Sequence, residues 1–252
     1  MARLLVRPPS PKLGMGELTH FSRVAVDADL ALAQWRGYVD ALAAAGFSPL
    51  EVASADNQPD GVFVEDTVVM LGATAVISLP GAASRRGEID TMARTVSELG
   101  VDVQRIVSPG TLEGGDVLKV GSTVYVGRSS RTNDAGIAQL EAIAARLGYR
   151  VVAVPVTKTL HLKSQVTALP DGTVIGYEPL VDSAAVFPKF LPVPEPEGVA
   201  VVVLDESTVL MSAAAPRTAE LLRERGLAVI AVPITEFEKM EGCVTCLSVR
   251  VR

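Results

Sequence analysis

Cysteine and histidine are scarce in this chain, two of each among 252 residues, and that scarcity narrows the chemistry it can do. Cys243 and Cys246 cannot build a disulfide framework, so the fold must rest on its core, and a reducing compartment is expected. Nor do they suffice for structural zinc, which takes four ligands and here lacks a second cysteine pair. Positive charge is not in excess: 23 Lys and Arg stand against 29 Asp and Glu, a net charge of -6. That balance offers no basic surface for nucleic acid or anionic lipid. Long apolar runs are missing too. The longest, such as residues 199–204, have the length of a strand and fall far short of the ~20 residues that cross a bilayer. Arg7, Pro8 and Pro9 interrupt the apolar start before a signal-peptide core can form. A cytoplasmic protein without membrane or nucleic-acid partners is expected. Neither GxGxxG nor a Walker loop occurs, so no nucleotide motif is present.

What the chain does have is aliphatic and regularly punctuated. With 48% hydrophobic residues it can bury a sizeable core. One unit recurs: two short β-rich runs joined by a turn, an amphipathic helix, then an apolar strand often closed by proline. The plainest copy runs through residues 116–120, a turn at Gly121-Ser122, and residues 123–126. Its helix starts near Asn133 or Asp134, places Ile137, Leu140, Ile143, Ala144 and Leu147 at helical spacing, and stops at Gly148. A strand over 150–154 ends at Pro155. The same grammar gives a hairpin over 62–71 and 75–79, a helix over 87–99 and a strand over 102–107. It returns with a hairpin over 199–204 and 208–211, a helix over 217–225 and a strand over 228–232. Partial copies span 165–177, and 244–251 joined in space to 4–6. The Pro-rich stretch 188–196 reads as an exposed connection between units. Repeats of this size close into a ring or stack, so residues 1–252 read as one domain.

Few side chains can do acid–base chemistry near neutral pH. His161 lies just after a buried strand, at an element boundary, whereas His20 falls in a Gly- and Pro-containing loop. Cys243 and Cys246 follow the turn at Gly242 in a segment that alternates like a strand. On a strand that spacing turns them to opposite faces, which argues against a shared metal or a bond between them. Two acidic clusters sit in apolar surroundings, Phe63-Val64-Glu65-Asp66-Thr67 and Leu112-Glu113-Gly114-Gly115-Asp116. A strand through Glu65-Asp66 puts one acid on each face, and a buried carboxylate calls for a cation, either Arg85, Arg86 or Arg131 or a ligand.

Taken together, Phe63-Val64-Glu65-Asp66, Pro80-Gly81-Ala82-Ala83-Ser84-Arg85-Arg86, Leu112-Glu113-Gly114-Gly115-Asp116, Arg131-Thr132-Asn133, Leu160-His161-Leu162-Lys163-Ser164 and Gly242-Cys243-Val244-Thr245-Cys246 resemble, in order, the motifs of the dimethylarginine dimethylaminohydrolase family. That resemblance spans nearly the whole chain. It implies an α/β pentein fold, a five-bladed propeller of ββαβ units around a central active site. It further implies Cys246 as nucleophile, His161 and Glu113 as its catalytic partners, and Asp66 holding a guanidinium with Glu65 alongside as a second ligand or a structural acid. Arg85 and Arg131 are implied for the substrate's α-carboxylate, Asp60 for its α-amine, and Leu18 for a lid; Glu241 stands where relatives commonly have Asp. The implied activity is hydrolysis of a methylated arginine, a small cationic amino acid, to citrulline and a methylamine, with no metal or organic cofactor. Arginine deiminase, an amidinotransferase and a ribosome-binding pentein without activity share parts of this pattern, and a homodimer stays open.

Overall fold

A computed structural model describes residues 2–251, and its strands sort into five three-stranded sheets. The chain opens with β1 (Arg3–Val6), α1 (Ala28–Ala44) and β2 (Ser48–Glu51). Next come β3 (Val68–Leu71), β4 (Thr74–Ile77), α2 (Ile89–Glu98) and β5 (Asp102–Arg105). They are followed by β6 (Val117–Val120), β7 (Thr123–Arg128), α3 (Asp134–Arg146) and β8 (Arg150–Pro155). The third unit, β9 (Val166–Ala168), β10 (Val174–Gly176) and β11 (Phe190–Pro192), carries two short 3-10 turns in place of a helix. The last full unit is β12 (Val201–Val203), β13 (Thr208–Ser212), α4 (Pro216–Glu224) and β14 (Ala228–Val232). A short helix α5 (Thr235–Glu238) then leads to β15 (Val249–Val251).

Every sheet obeys one rule. Its first strand pairs antiparallel with the second, which pairs parallel with the third, as in β3-β4-β5 and β6-β7-β8. A hairpin serves the antiparallel step, while the parallel step needs a crossover, which is why a helix, or in the β9-β10-β11 unit a pair of 3-10 turns, stands between the second and third strands. The ring closes through its ends: β15 runs antiparallel to β1, with Arg3 opposite Val251, and β1 runs parallel to β2. The first strands β3, β6, β9, β12 and β15 contribute side chains to one central cavity of about 350 Å³. This is the five-bladed α/β propeller expected.

Boundaries moved where local chemistry overrode the strand pattern. The run over 62–71 begins with a 3-10 turn, Val64–Thr67, so β3 starts only at Val68. Residues 244–247 are a turn, and the strand starts only at Val249. The stretch 188–196 is no simple connection, because β11 pairs with β10; Pro192 is tolerated there because an outer strand needs no donor on its free side. Helix α3 matches its reading: the Asn133 side chain accepts from Gly136 N at 2.8 Å, and Gly148 takes φ +81. Helix α1, unassigned by the repeat grammar, is capped by Asp27 and buries Trp35, Tyr38 and Leu42.

Candidate active site

The ring brings the chemistry-bearing motifs together at the segments that precede its inner strands. Val64–Thr67 leads into β3, Gly114–Asp116 into β6, Leu162–Ser164 into β9 and the turn at Cys246 toward β15. The Gly-Gly pair lets these turns meet. A Cβ on Gly114 would sit 1.9 Å from the Glu65 carbonyl oxygen, and one on Gly115 would sit 2.6 Å from His161 Nδ1 and 2.7 Å from Asp66 Oδ1.

Glu113 is fully buried and holds His161, with Oε2 2.7 Å from Nε2, while its Oε1 accepts from Gly81 N at 3.1 Å. Burial pushes the Glu113 carboxyl up, but the hydrogen bond and charge of His161, with Arg85 and Arg131, outweigh it and hold the group down at about 2. For His161, burial works against the charged form; the surrounding Asp66, Glu113 and Asp116 prevail and lift it to about 9. His161 therefore enters neutral solution as an imidazolium. Its Nδ1 lies 3.8 Å from Asp66 Oδ1, too far for a hydrogen bond, which leaves that nitrogen for another partner. Asp116, absent from the expected set, aims the histidine: it accepts from Leu162 N at 3.0 Å and from Ser129 Oγ at 2.6 Å.

The two adjacent acids diverge. Asp66 turns to the pocket, accepting from Gly115 N at 2.9 Å and pairing with Arg85 Nη1 at 2.7 Å. Glu65 turns into the central cavity, where Lys163 Nζ lies 2.6 Å away and Thr245 Oγ1 donates at 2.9 Å. Arg85 is not free for a carboxylate as expected. Glu88 takes its Nε and Nη2 at 3.1 and 2.8 Å, and Asp66 takes Nη1. A buried guanidinium without such partners would be very costly, so the acids fix it beneath the pocket. Arg131 differs: its Nη1 is buried, lies 3.6 Å from Glu113 Oε1 and has no hydrogen-bond partner among the described residues.

Asp66, Glu113 and His161 offer three ligand atoms within 4.8 Å, a set of metal-binding type. The positive charge there is already supplied by Arg85, 2.7 Å from Asp66 and 3.7 Å from Glu113, and Glu113 and His161 are spent on each other. A divalent ion would meet that guanidinium's repulsion.

Cys246 is 6% exposed and lies in a turn closed by its own N–H donating to Cys243 O at 3.1 Å. The strand expectation, with the two thiols on opposite faces, is overturned: the sulfurs are 3.3 Å apart. Glu241 takes φ +58, and a Cβ on Gly242 would lie 2.4 Å from the Phe63 ring, so the chain bends before it can extend. Tyr38 Oη locks the loop from behind, donating to Val244 O at 2.8 Å and meeting Ser248 Oγ at 2.7 Å. The hydrogen bond with Cys243, then burial, the Cys243 charge and the carboxylates of Glu65 and Asp66 raise Cys246 well above the ordinary thiol.

Cys246, His161, Asp66, Asp60, Arg85, Arg131 and Glu241 line one small pocket. Residues 16–21 cover it. Asp60 accepts from Glu17 N at 3.0 Å, and Glu241 accepts from His20 N and Phe21 N at 2.5 and 2.7 Å and from Thr19 N at 3.2 Å. Leu18, half-buried on that segment, packs toward the core. With that segment in place the pocket offers about 10 Å³, room for roughly one water. The larger central cavity holds no thiol or imidazole, so size does not locate the chemistry. Asp116, Glu88, Glu17 and Lys163 had no assigned role in the sequence reading; Asp116, Glu17 and Lys163 act through contacts between segments far apart in the chain, whereas Glu88 meets Arg85 three residues away.

Five blades, with a thiol, a carboxylate and an imidazole held on a buried carboxylate gathered at one pocket, match the pentein class of guanidino-group-modifying hydrolases whose motifs the chain resembles. A family model described as N,N dimethylarginine dimethylhydrolase, eukaryotic, matches residues 22–175. The chain is 58% identical over 250 residues to the N(G),N(G)-dimethylarginine dimethylaminohydrolase of Streptomyces coelicolor, covering 99% of this chain and 97% of that one. A Pseudomonas aeruginosa dimethylarginine dimethylaminohydrolase, solved as a cysteine-to-serine variant complexed with citrulline, superimposes with a TM-score of 0.90 at 33% identity, covering 98% of each chain. A histidine-to-glycine variant solved as an adduct with S-methyl-L-thiocitrulline gives 0.91 at 32% identity, covering 99% of this chain and 100% of that one. The chain belongs to the dimethylarginine dimethylaminohydrolase family.

Proposed function

We propose that this chain hydrolyses an Nω-methylated arginine to citrulline and a methylamine through a covalent intermediate on Cys246. The observation that carries the reading is the shared pocket of Cys246, Asp66 and the His161–Glu113 pair, with Arg131 Nη1 lacking a hydrogen-bond partner beside it. The relatives' names and the citrulline and thiocitrulline ligands of the two solved structures support it.

The electrostatics suggest an order of events. Free Cys246 stays a thiol, because its hydrogen bond with Cys243, its burial and the neighbouring negative charges of Cys243, Glu65 and Asp66 oppose the thiolate. A guanidinium bound to Asp66 supplies the missing cation and favours the thiolate, so substrate helps to activate its own attack. Sulfur adds to the guanidinium carbon, and His161, already protonated, gives its proton to the departing methylamine. Neutral imidazole then takes a proton from water, whose oxygen displaces the thiolate and leaves the ureido product. Glu113 holds the ring through Nε2 throughout, which assigns Nδ1 to the proton transfers.

At the amino-acid end, Arg131 suits the α-carboxylate, since a buried donor with no hydrogen-bond partner and only a 3.6 Å ion pair to Glu113 gains most from an anion. Arg85 serves as the charge partner of Asp66, and Glu65 as a structural acid. Asp60, released from Glu17 N when the lid opens, suits the α-amine, while Leu18 and Glu241 belong to the lid and its latch. The whole chain acts as one catalytic domain in the cytoplasm, with no nucleic-acid partner. None of the described helices is long and apolar enough to cross a membrane.

Mass spectrometry of enzyme quenched while turning over asymmetric dimethylarginine tests the proposal. An amidino adduct on the peptide carrying Cys246, with dimethylamine released, is expected. Turnover of a panel of arginine, its monomethyl and dimethyl forms and agmatine with no adduct on that cysteine would refute it.

A further inference from the structure

We propose that Cys243 is an oxidative modification site, at which a peroxide closes a disulfide onto Cys246 and reversibly withdraws the nucleophile. The inference rests on the reading of Cys246 given above, but the bond itself can be measured without reference to activity.

Geometry comes first. The two sulfurs are 3.3 Å apart, and the backbone between them is already bent, with Cys246 N–H bonded to Cys243 O at 3.1 Å. In a four-residue turn the end Cα atoms lie within about 7 Å, which overlaps the ~4.4–6.8 Å span of a disulfide. Closing to a bond of about 2.05 Å asks for rotation of two side chains and no rearrangement of the blades. Cys243 is also half-buried and so within reach of a small oxidant, while Cys246 is nearly enclosed.

The chemistry favours Cys243 as the sulfur that reacts first. Hydrogen bonds from the Cys246 thiol and from Thr245 lower it below an ordinary cysteine, with burial opposing. Its thiolate attacks hydrogen peroxide, forming an S–O bond, breaking the O–O bond and releasing hydroxide. The Cys246 thiol then attacks the sulfenic sulfur. The S–S bond forms as the S–O bond breaks, and the displaced hydroxide takes the thiol proton to leave as water. Two thiols are oxidised by two electrons and one peroxide is reduced to two waters. Without the neighbour, an oxidised Cys246 could climb to the sulfinic and sulfonic acids, which thiols do not reverse. The pair therefore gives up activity temporarily instead of losing the nucleophile.

Intact and peptide mass spectrometry of the full chain after treatment with hydrogen peroxide, with free thiols alkylated, decides the matter. Expected is the loss of two hydrogen atoms from a monomer, an internal disulfide in the one peptide carrying both cysteines, a proportional fall in turnover, and recovery of both with dithiothreitol. Cys243→Ser, or Cys243→Ala if the serine variant melts early, should instead gain oxygen and recover only in part. Parallel loss and full recovery in wild type and variant, or inactivation of wild type with no loss of hydrogens, would overturn the proposal. A disulfide that forms while turnover persists would keep the bond and remove Cys246 from the role of nucleophile.

Discussion

Replacing Glu113 by glutamine keeps the size of a fully buried side chain and removes one charge from the pair it forms with His161. The rise of His161 from 6.5 to about 9 favours the imidazolium by about 3 kcal/mol. Burial opposes that rise; Asp66 supplies the largest favourable share, and the Glu113 hydrogen bond comes next. Glutamine still offers an oxygen to His161 Nε2 but makes the bond neutral; since charged hydrogen bonds contribute about 1.5–3 kcal/mol and neutral ones about 0.5–1.5, losing the charge should lower His161 by roughly 1 unit. The titration is readable by nitrogen-detected NMR of the imidazoles, because the chain has only two histidines and His20 is exposed. Stability carries a matching signature. The elevated His161 stabilises the fold fully below pH 6.5 and loses that contribution as pH rises toward 9. The depressed Glu113 contributes fully above 4.5 and loses it as pH falls toward 2. The wild-type advantage over Glu113→Gln in urea unfolding should therefore be greatest between pH 4.5 and 6.5 and shrink on both sides. A variant His161 titrating within about 0.3 units of wild type, well under the expected shift, would show that Glu113 does not set its charge.

Cys246→Ser should abolish turnover with the melting profile intact, whereas Cys243→Ser should keep most activity under reducing conditions; equal losses would undo the assignment of the nucleophile. Arg131→Gln should raise KM for an arginine-derived amino acid about 10–100-fold while sparing agmatine, which has no α-carboxylate, and equal effects on both would place Arg131 elsewhere. Glu241→Gly keeps the positive φ but removes the carboxylate that gathers three lid amides. KM should rise roughly tenfold, and hydrogen exchange at Thr19, His20 and Phe21 should quicken; unchanged protection there would refute the latch. Gly114→Ala should cost more than about 2 kcal/mol of unfolding free energy, since its Cβ would meet backbone 1.9 Å away, and a neutral result would mean the turns can part.

The sequence alone determined the repeat. Hairpin, helix and strand are local patterns of period and punctuation, which is why α3 could be read from Asn133 to Gly148 and why five units could be counted before any contact was known. Its ordered motifs likewise picked out Cys246, His161, Glu113 and Asp66, and these do share one site. Tertiary structure decided how neighbours in the chain part company and how strangers meet. Glu65 and Asp66 separate because Lys163 and Thr245 draw one and Arg85 the other; the lid is held by Glu241, some 220 residues away. The two thiols came within 3.3 Å because Phe63 and Tyr38, brought in from far along the chain, bend a segment whose own alternation favours a strand. Side-chain charge and burial depend on such long-range partners, and no local period encodes them.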